Sequence, residues 1–217
     1  RNNRVIGSLE FFTKHGKDLI GQTAMDPTSG VTTFTGNTAN MTAQGMDFTL
    51  HTRNLTGRLK WSNDWLISYV QDKVTRYEVP LPSAGGFFQE NSFNPLVGHP
   101  LYSIYALKWR GLAPQSGDPL GDIAGKADTT YSTILNAPAT TLIYKGPANP
   151  SFFGSWRNTF NWQQFEMSFN IIFKLGYYFK RNSIQYYDLY NGISQGSPDY
   201  DLRWQKPGDE KITNVPS

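Results

Sequence analysis

The sequence predicts an all-β chain, an antiparallel segment of a large transmembrane β-barrel with long extracellular loops. Three observations predict it. Long segments alternate strictly between apolar and polar residues, the mark of strands with one apolar face. The connections alternate between very short and very long. The 217 residues are 15% aromatic but 38% hydrophobic overall, which fits ring-rich strands between polar loops better than an Ala/Leu helical core.

Five segments carry the alternation, and they predict strands over residues 4–15, 45–53, 58–71, 151–161 and 165–181. In the first, Val5, Gly7, Leu9 and Phe11 share a face opposite Ser8 and Glu10. In the second, Met46, Phe48 and Leu50 oppose Asp47, Thr49 and His51. The third sets Leu59, Trp61, Trp65, Ile67 and Tyr69 against Lys60, Ser62, Asp64 and Ser68. The fourth sets Trp156, Phe160 and Trp162 against Ser155, Arg157, Thr159 and Asn161. In the fifth, Phe165, Met167, Phe169, Ile171 and Phe173 are expected to face lipid, with Glu166, Ser168, Asn170 and Lys174 toward a lumen. Its end gathers Tyr177, Tyr178 and Phe179 before Lys180 and Arg181, as an interfacial aromatic girdle would.

The stretches RNLTGR (53–58) and NWQQF (161–165) are tight turns, whereas 21–44, 73–150 and 182–217 are rich in Gly, Pro, Ser, Asn and Asp. These three are expected to be outer loops, because outer-membrane barrels have short turns at one end and long loops at the other. Within 73–150, the stretches HPLYSIYALKWRGL and TTLIYK do not alternate cleanly or are too short to span, so they are expected to pair within the outer excursion. Five crossing strands are too few to close a barrel, for which ~8 is the smallest number. A soluble β-sandwich with loop aromatics that bind a glycan produces the same period and stays open as a second reading.

No apolar run reaches the ~18 residues of a spanning helix. The net charge of +3, with scattered Lys and Arg, gives no case for nucleic acid. The absence of cysteine removes disulfides and thiolate chemistry. His15, His51 and His99 lie in separate regions without metal-ligand spacing, and no nucleophile elbow, phosphate loop or dinucleotide motif occurs. No enzymatic activity, cofactor or metal is expected. The sequons at Asn40 and Asn54 carry no weight. Phe87, Phe88, Tyr131, Tyr144, Tyr186, Tyr187 and Tyr190 are loop rings that could stack on a sugar or pack on one another.

Several stretches resemble SusC/RagA-type TonB-linked outer-membrane proteins of Bacteroidetes, in the C-terminal half of the barrel. They are NPSFFGSWRNTFNWQQFEMSFNIIFKLGYYFKR, YDLRWQKPGDEKITNVP, GLAPQSGDP and GNTANMTAQGMDFTLHTRN, which together spread across nearly the whole chain. Ala113 stands where the family loop usually carries Asp, and Asp47 where Glu is commoner. The resemblance implies a bacterial outer-membrane importer of oligosaccharides or peptides. It implies a SusD-like surface lipoprotein over the long loops, around 111–119 and 204–209, and TonB acting through an N-terminal part. The plug and the remaining strands are expected outside this chain.

Overall fold

The computed structural model describes residues 3–24, 26, 28, 30, 33–89, 93–181, 183–193 and 196–217. Nine strands are present among them: β1 (Val5–Ala24), β2 (Thr33–Thr56), β3 (Leu59–Tyr77), β4 (Ser103–Ala106), β5 (Gly121–Ile123), β6 (Lys126–Asp128), β7 (Ile143–Pro147), β8 (Phe152–Trp162) and β9 (Phe165–Leu175). Helices are few and short, α1 (Tyr131–Asn136) and α2 (Tyr186–Tyr190) with some 3₁₀ turns. The fold is all-β. No helix among the described residues is long and apolar enough to cross a membrane.

The chain forms two units, the first being Arg1–Pro80, Pro95–Ile104 and Gly146–Tyr178, the second Leu81–Asn94, Tyr105–Lys145 and Phe179–Ser217. In the first, β1-β2-β3-β8-β9 pair in that order, antiparallel throughout. Cross-strand register turns the five alternations into one continuous face. Its rows are Phe11–Met46–Tyr69–Phe152–Leu175, Leu9–Phe48–Ile67–Gly154–Phe173, Gly7–Leu50–Trp65–Trp156–Ile171 and Val5–Thr52–Asn63–Asn158–Phe169. Trp65 stacks on Trp156 with centroids 4.7 Å apart, and Trp61 on Phe160 at 5.7 Å. Gly154 leaves the space that the Phe173 ring fills: a Cβ there would sit 2.7 Å from the ring and 2.1 Å from the Leu66 carbonyl.

One row breaks the apolar rule. Asn63 and Asn158 face each other at 7% and 2% exposure, under the surrounding rings. Trp156 Nε1 donates to Asn63 Oδ1 at 3.3 Å, and Trp61 Nε1 donates to Asn158 Oδ1 at 3.2 Å. The aromatic cover and the amides satisfy one another in part, as buried polar groups require.

The expected loop over 21–44 is corrected: β1 runs to Ala24 and β2 starts at Thr33, so most of that stretch is one long hairpin. Residues 25, 27, 29, 31 and 32 of it lie outside the described residues. The far part of the hairpin lacks a clean alternation because bulges interrupt its register between Gly16 and Leu19 and between Leu19 and Ile20, with Asp18 at φ 52°. A bulge shifts side chains from one face to the other. Side chains tie the three strands together there: Asn40 Oδ1 accepts from the Asp18 N–H at 2.8 Å, and Arg76 on β3 donates to the Asn37 carbonyl at 2.9 Å. The third strand likewise continues past residue 71 to Tyr77. The fifth stops at Leu175 instead of 181, because Gly176 at φ 72° turns the chain out of the ladder and puts the Tyr177–Tyr178–Phe179 run beyond the strand.

Segment 95–104 packs on the end of β3: Val74 is buried and exchanges backbone bonds with Gly98 and His99, and Asp72 accepts the Leu101 N–H at 2.7 Å. β4 and β7 pair with each other, β5 with β6, and neither pair joins the large sheet. The second unit has its own small core of Ala84, Phe87, Tyr105, Leu112, Ile134, Ala139 and Trp204. Residues 90–92, 182, 194 and 195, which fall in the expected loops 73–150 and 182–217, lie outside the described residues.

Candidate functional site

Opposite the apolar face, the same register lines up mostly polar rows, in which Ile6, Leu66, Phe153 and Ile172 are exposed apolar exceptions. Ile6, His51, Asp64, Arg157 and Asn170 form one; Ser8, Thr49, Leu66, Ser155 and Ile172 the next; Glu10, Asp47, Ser68, Phe153 and Lys174 a third. Hydrogen bonds run across strands within the rows. His51 Nδ1 lies 2.7 Å from Asp64 Oδ1, Ser68 donates to Asp47 at 2.5 Å, and the Ser8 and Thr49 hydroxyls are 2.7 Å apart. A depression of about 490 Å³ opens on this face, lined by Ser8, Thr49, His51, Asp64, Ser155 and Arg157 among others. Its hydroxyls, imidazole and guanidinium can hold a polar ligand by hydrogen bonds. Among the described residues no group of three or more His, Asp or Glu side chains is placed to bind a metal ion.

In the second unit two loops meet. The Trp204 ring covers Gly117, whose φ of 73° suits glycine and where a Cβ would fall 2.5 Å from the indole. The Ser217 N–H reaches the Gly117 carbonyl at 3.3 Å, and the Trp204 N–H the Val215 carbonyl at 3.0 Å. Asp209 accepts the backbone N–H groups of Gln205 and Lys206, each at 3.1 Å, so its carboxylate closes the turn before it. Loops 111–119 and 204–209 thus have fixed shapes through mutual packing.

Beside them a groove of about 570 Å³ is lined by Arg181, Asp199, Asp201, Arg203, Thr213 and Val215 among others. Asp199, 4% exposed, accepts from Ser183 Oγ at 2.8 Å and Arg181 Nη2 at 2.6 Å. These two donors hold its carboxyl below the usual Asp range. At Asp122, burial pushes upward, but hydrogen bonds from Arg110, the Gly125 N–H and Lys108 more than offset it and the carboxyl ends lower. Both acids are structural anchors.

The loop rings divide. Phe87 is buried edge-on against Tyr105, and Tyr144 lies 5.9 Å from the same ring. Tyr131 donates to the Pro119 carbonyl at 2.9 Å and Tyr186 to the Pro216 carbonyl at 2.8 Å, while Lys180 lies over Phe88. Tyr187 and Tyr190, at 76% and 86% exposure, are the most open rings of that set, while Tyr131 and Phe88 are exposed to a lesser degree.

No protein-family model matches the chain. TonB-dependent receptor P3 of Formosa agariphila is 23% identical over 181 residues, which is 77% of this chain and 18% of that protein. The RagAB peptide importer in its open-open state superposes with a TM-score of 0.72 at 19% identity, and it covers 100% of this chain and 23% of its own. The chain is SusC/RagA-like in fold. A further structure, of the RagAB peptide transporter, matches with a TM-score of 0.69 at 16% identity over 100% of this chain and 24% of that one. The chain spans about a quarter or less of the length of these relatives.

In this SusC/RagA-like sheet Phe165, Met167, Phe169, Ile171 and Phe173 lie on the apolar face of β9, the first four exposed and Phe173 half-buried over Gly154. Glu166, Ser168, Asn170 and Lys174 lie on the other face. Sequence reasoning missed the Asn63–Asn158 pair and the grouping of His51, Asp64 and Arg157. Both are products of cross-strand register, and the signal available was each residue's parity within its strand.

Proposed function

We propose that the chain forms part of the wall of a TonB-dependent importer of oligosaccharides or peptides in the bacterial outer membrane. The observation that carries this reading is the apolar face, which runs across five strands with one polar interruption at Thr52, Asn63 and Asn158 and is exposed at Leu9, Phe11, Phe165, Met167 and Ile171. Water does not favour so large an apolar surface, whereas a bilayer requires it. Each of β8 and β9 has 11 residues, the length of a tilted spanning strand. In this reading Phe165, Met167, Phe169, Ile171 and Phe173 face lipid, the polar rows face the lumen, and strands outside this chain complete the barrel.

Two-residue turns join β2 to β3 and β8 to β9, while β1 ends at Ala24, β2 begins at Thr33, β3 ends at Tyr77, β8 begins at Phe152 and β9 ends at Leu175 at the opposite end of the sheet. The latter end is assigned to the cell exterior. A SusD-like lipoprotein docks on it, with the loops at 111–119 and 204–209 as preshaped contacts, and TonB acts through a part outside this chain. A stable partnership of this kind buries well over ~2,000 Å². The names of the relatives, a TonB-dependent receptor and a peptide importer, support the reading. The sandwich reading needs a second sheet over the apolar face, and the other sheets among the described residues are two-stranded pairs. Affinity purification of the full-length protein from native outer membranes in mild detergent tests the assignment. A lipoprotein in near-equal amount is expected; recovery of the barrel protein alone contradicts the partnership.

A further inference from the structure

We propose that the outward side of the β1–β2–β3 extension seats the head of a phosphorylated glycolipid of the outer leaflet; this rests on the wall reading above, with the apolar face in lipid and the long-loop end outside. β1, β2 and β3 have 20, 24 and 19 residues against 11 in each of β8 and β9, so they continue past the last apolar row, Phe11–Met46–Tyr69–Phe152–Leu175. From Phe165 to Leu175 that face rises about 25 Å along the membrane normal, at ~3.3 Å per residue and a tilt of ~40°, which is the height of a barrel's apolar band. The next rows on the same face are Thr13–Gln44–Gln71 and His15–Thr42–Lys73. At the same rise and tilt they stand about 5 Å and 10 Å above the band. A headgroup layer is roughly 5–8 Å thick, so the first row lies within it and the second at its outer edge. Strands that complete a barrel extend the sheet at its edges, and a plug fills its inside. Neither lies over this side.

The two rows differ in chemistry, and their order selects the ligand. Thr13, Gln44 and Gln71 are exposed, and their hydroxyl and amides match the hydroxyls of a sugar. The Gln71 carbonyl accepts the Tyr69 phenol at 3.3 Å, which leaves the amide N–H groups to donate. One row farther out, exposed His15 and Lys73 match a phosphate, and the four-carbon Lys stem can reach back toward the layer. Neither row contains an acid. Asp72, at the same height, lies on the opposite face and accepts the Leu101 N–H at 2.7 Å; past the bulge, Arg76 is held by Glu78 at 2.8 Å. A simple phospholipid carries its phosphate directly above its acyl chains, where this face offers neutral groups. A phosphate borne on a sugar lies farther out, level with Lys73, while its acyl chains run along Phe11, which is 74% exposed.

The test titrates the full-length protein in detergent micelles with three lipids, followed by native mass spectrometry: lipid A monophosphate, dephosphorylated lipid A and phosphatidylglycerol. Lipid A monophosphate should bind tightest. Lys73→Gln should weaken it about fivefold and leave dephosphorylated lipid A unchanged. Gln44→Ala combined with Gln71→Ala should weaken both glycolipids and spare phosphatidylglycerol. Lys14→Gln, at the height of Asp72 on the opposite face, should change nothing. Phosphatidylglycerol bound as tightly as lipid A monophosphate, or lipid A monophosphate that ignores Lys73→Gln, overturns the seat. A nitroxide at position 171 in bilayers separates the two failures. If it collides with oxygen and not with a charged nickel complex, the lipid assignment of the face stands and the glycolipid seat alone is wrong. If nickel reaches it and Lys14→Gln proves the sensitive variant, both fall.

Discussion

Asn63 on β3 sits directly opposite Asn158 on β8, and each side-chain carbonyl accepts the indole N–H of a tryptophan on the other's strand, Trp156 for Asn63 and Trp61 for Asn158. Where a short hairpin joins two strands, the turn fixes their register. Between β3 and β8 lie residues 78–151, so no turn can do so. The crossed Trp–Asn pairs supply the missing specification, because a slip parts each indole from its acceptor. In a double-mutant cycle, Trp61→Phe with Asn158→Leu should show a coupling of about 0.5–2 kcal/mol. Register can be read directly from engineered disulfides. Ser62→Cys should cross-link with Thr159→Cys in the parent and, once Asn63 and Asn158 are both Leu, with Asn161→Cys as well. A single register in both backgrounds would remove the role assigned to the pair.

The two faces of β9 should differ sharply in tolerance for charge. Phe169→Arg should cost about 2–4 kcal/mol in a barrel-refolding titration, and its neighbour Ser168→Arg close to nothing. Phe169 also stacks on Phe160 at 6.2 Å, so Phe169→Leu separates lost stacking from the cost of charge. Equal losses for the two Arg variants would contradict the assignment of the faces.

Asp199 should make the 198–203 loop sensitive to acid. Its carboxyl lies below the ordinary value of 3.8 when folded, so its contribution is complete above that value and is lost as pH falls through the lowered one. Hydrogen-exchange protection of amides in 198–203 should therefore drop at strongly acid pH and remain flat from pH 5 to 8. With Asp199→Asn the loop should be less protected already at pH 7, and the acid step should disappear. An unchanged acid step would mean that another group controls the loop.

Gly117→Ala should loosen the joint between the two family-like loops. The added methyl meets the Trp204 ring, and alanine disfavours the left-handed backbone, for a combined cost of about 2–4 kcal/mol. Gly57→Ala, where a Cβ meets nothing within 4 Å, serves as the neutral control. Trp204 fluorescence should shift toward that of exposed indole in the first variant alone.

What the sequence disclosed followed from what alternation can encode. Residues such as Phe165, Met167 and Phe169 declared a face because their neighbours Glu166 and Ser168 declared the opposite one. Beyond Gly16 the β1–β2 hairpin continues with its phase broken by bulges and with Gly36 and the polar Asn37, Thr38 and Asn40, so period two fades and strand looks like loop. The end of β9 was misread for the converse reason: Tyr177, Tyr178 and Phe179 keep strand-like chemistry after Gly176 has turned the backbone away. The candidate site was hidden more deeply. His51, Asp64 and Arg157 are far apart in sequence, and only the pairing of β2, β3 and β8 makes them neighbours.

The central claim is that one face of this sheet lies in lipid and the other in water, and β9 tests it most directly. This chain contributes no cysteine, so once any cysteine elsewhere in the full-length protein is replaced, single substitutions along Phe165–Leu175 can carry a nitroxide without background. In the full-length protein in bilayers, collision with oxygen and with a charged nickel complex should alternate with period two. Oxygen should dominate at 165, 167, 169, 171 and 173, and nickel at 166, 168, 170 and 174. A flat profile, or nickel access at the odd positions, would contradict the account.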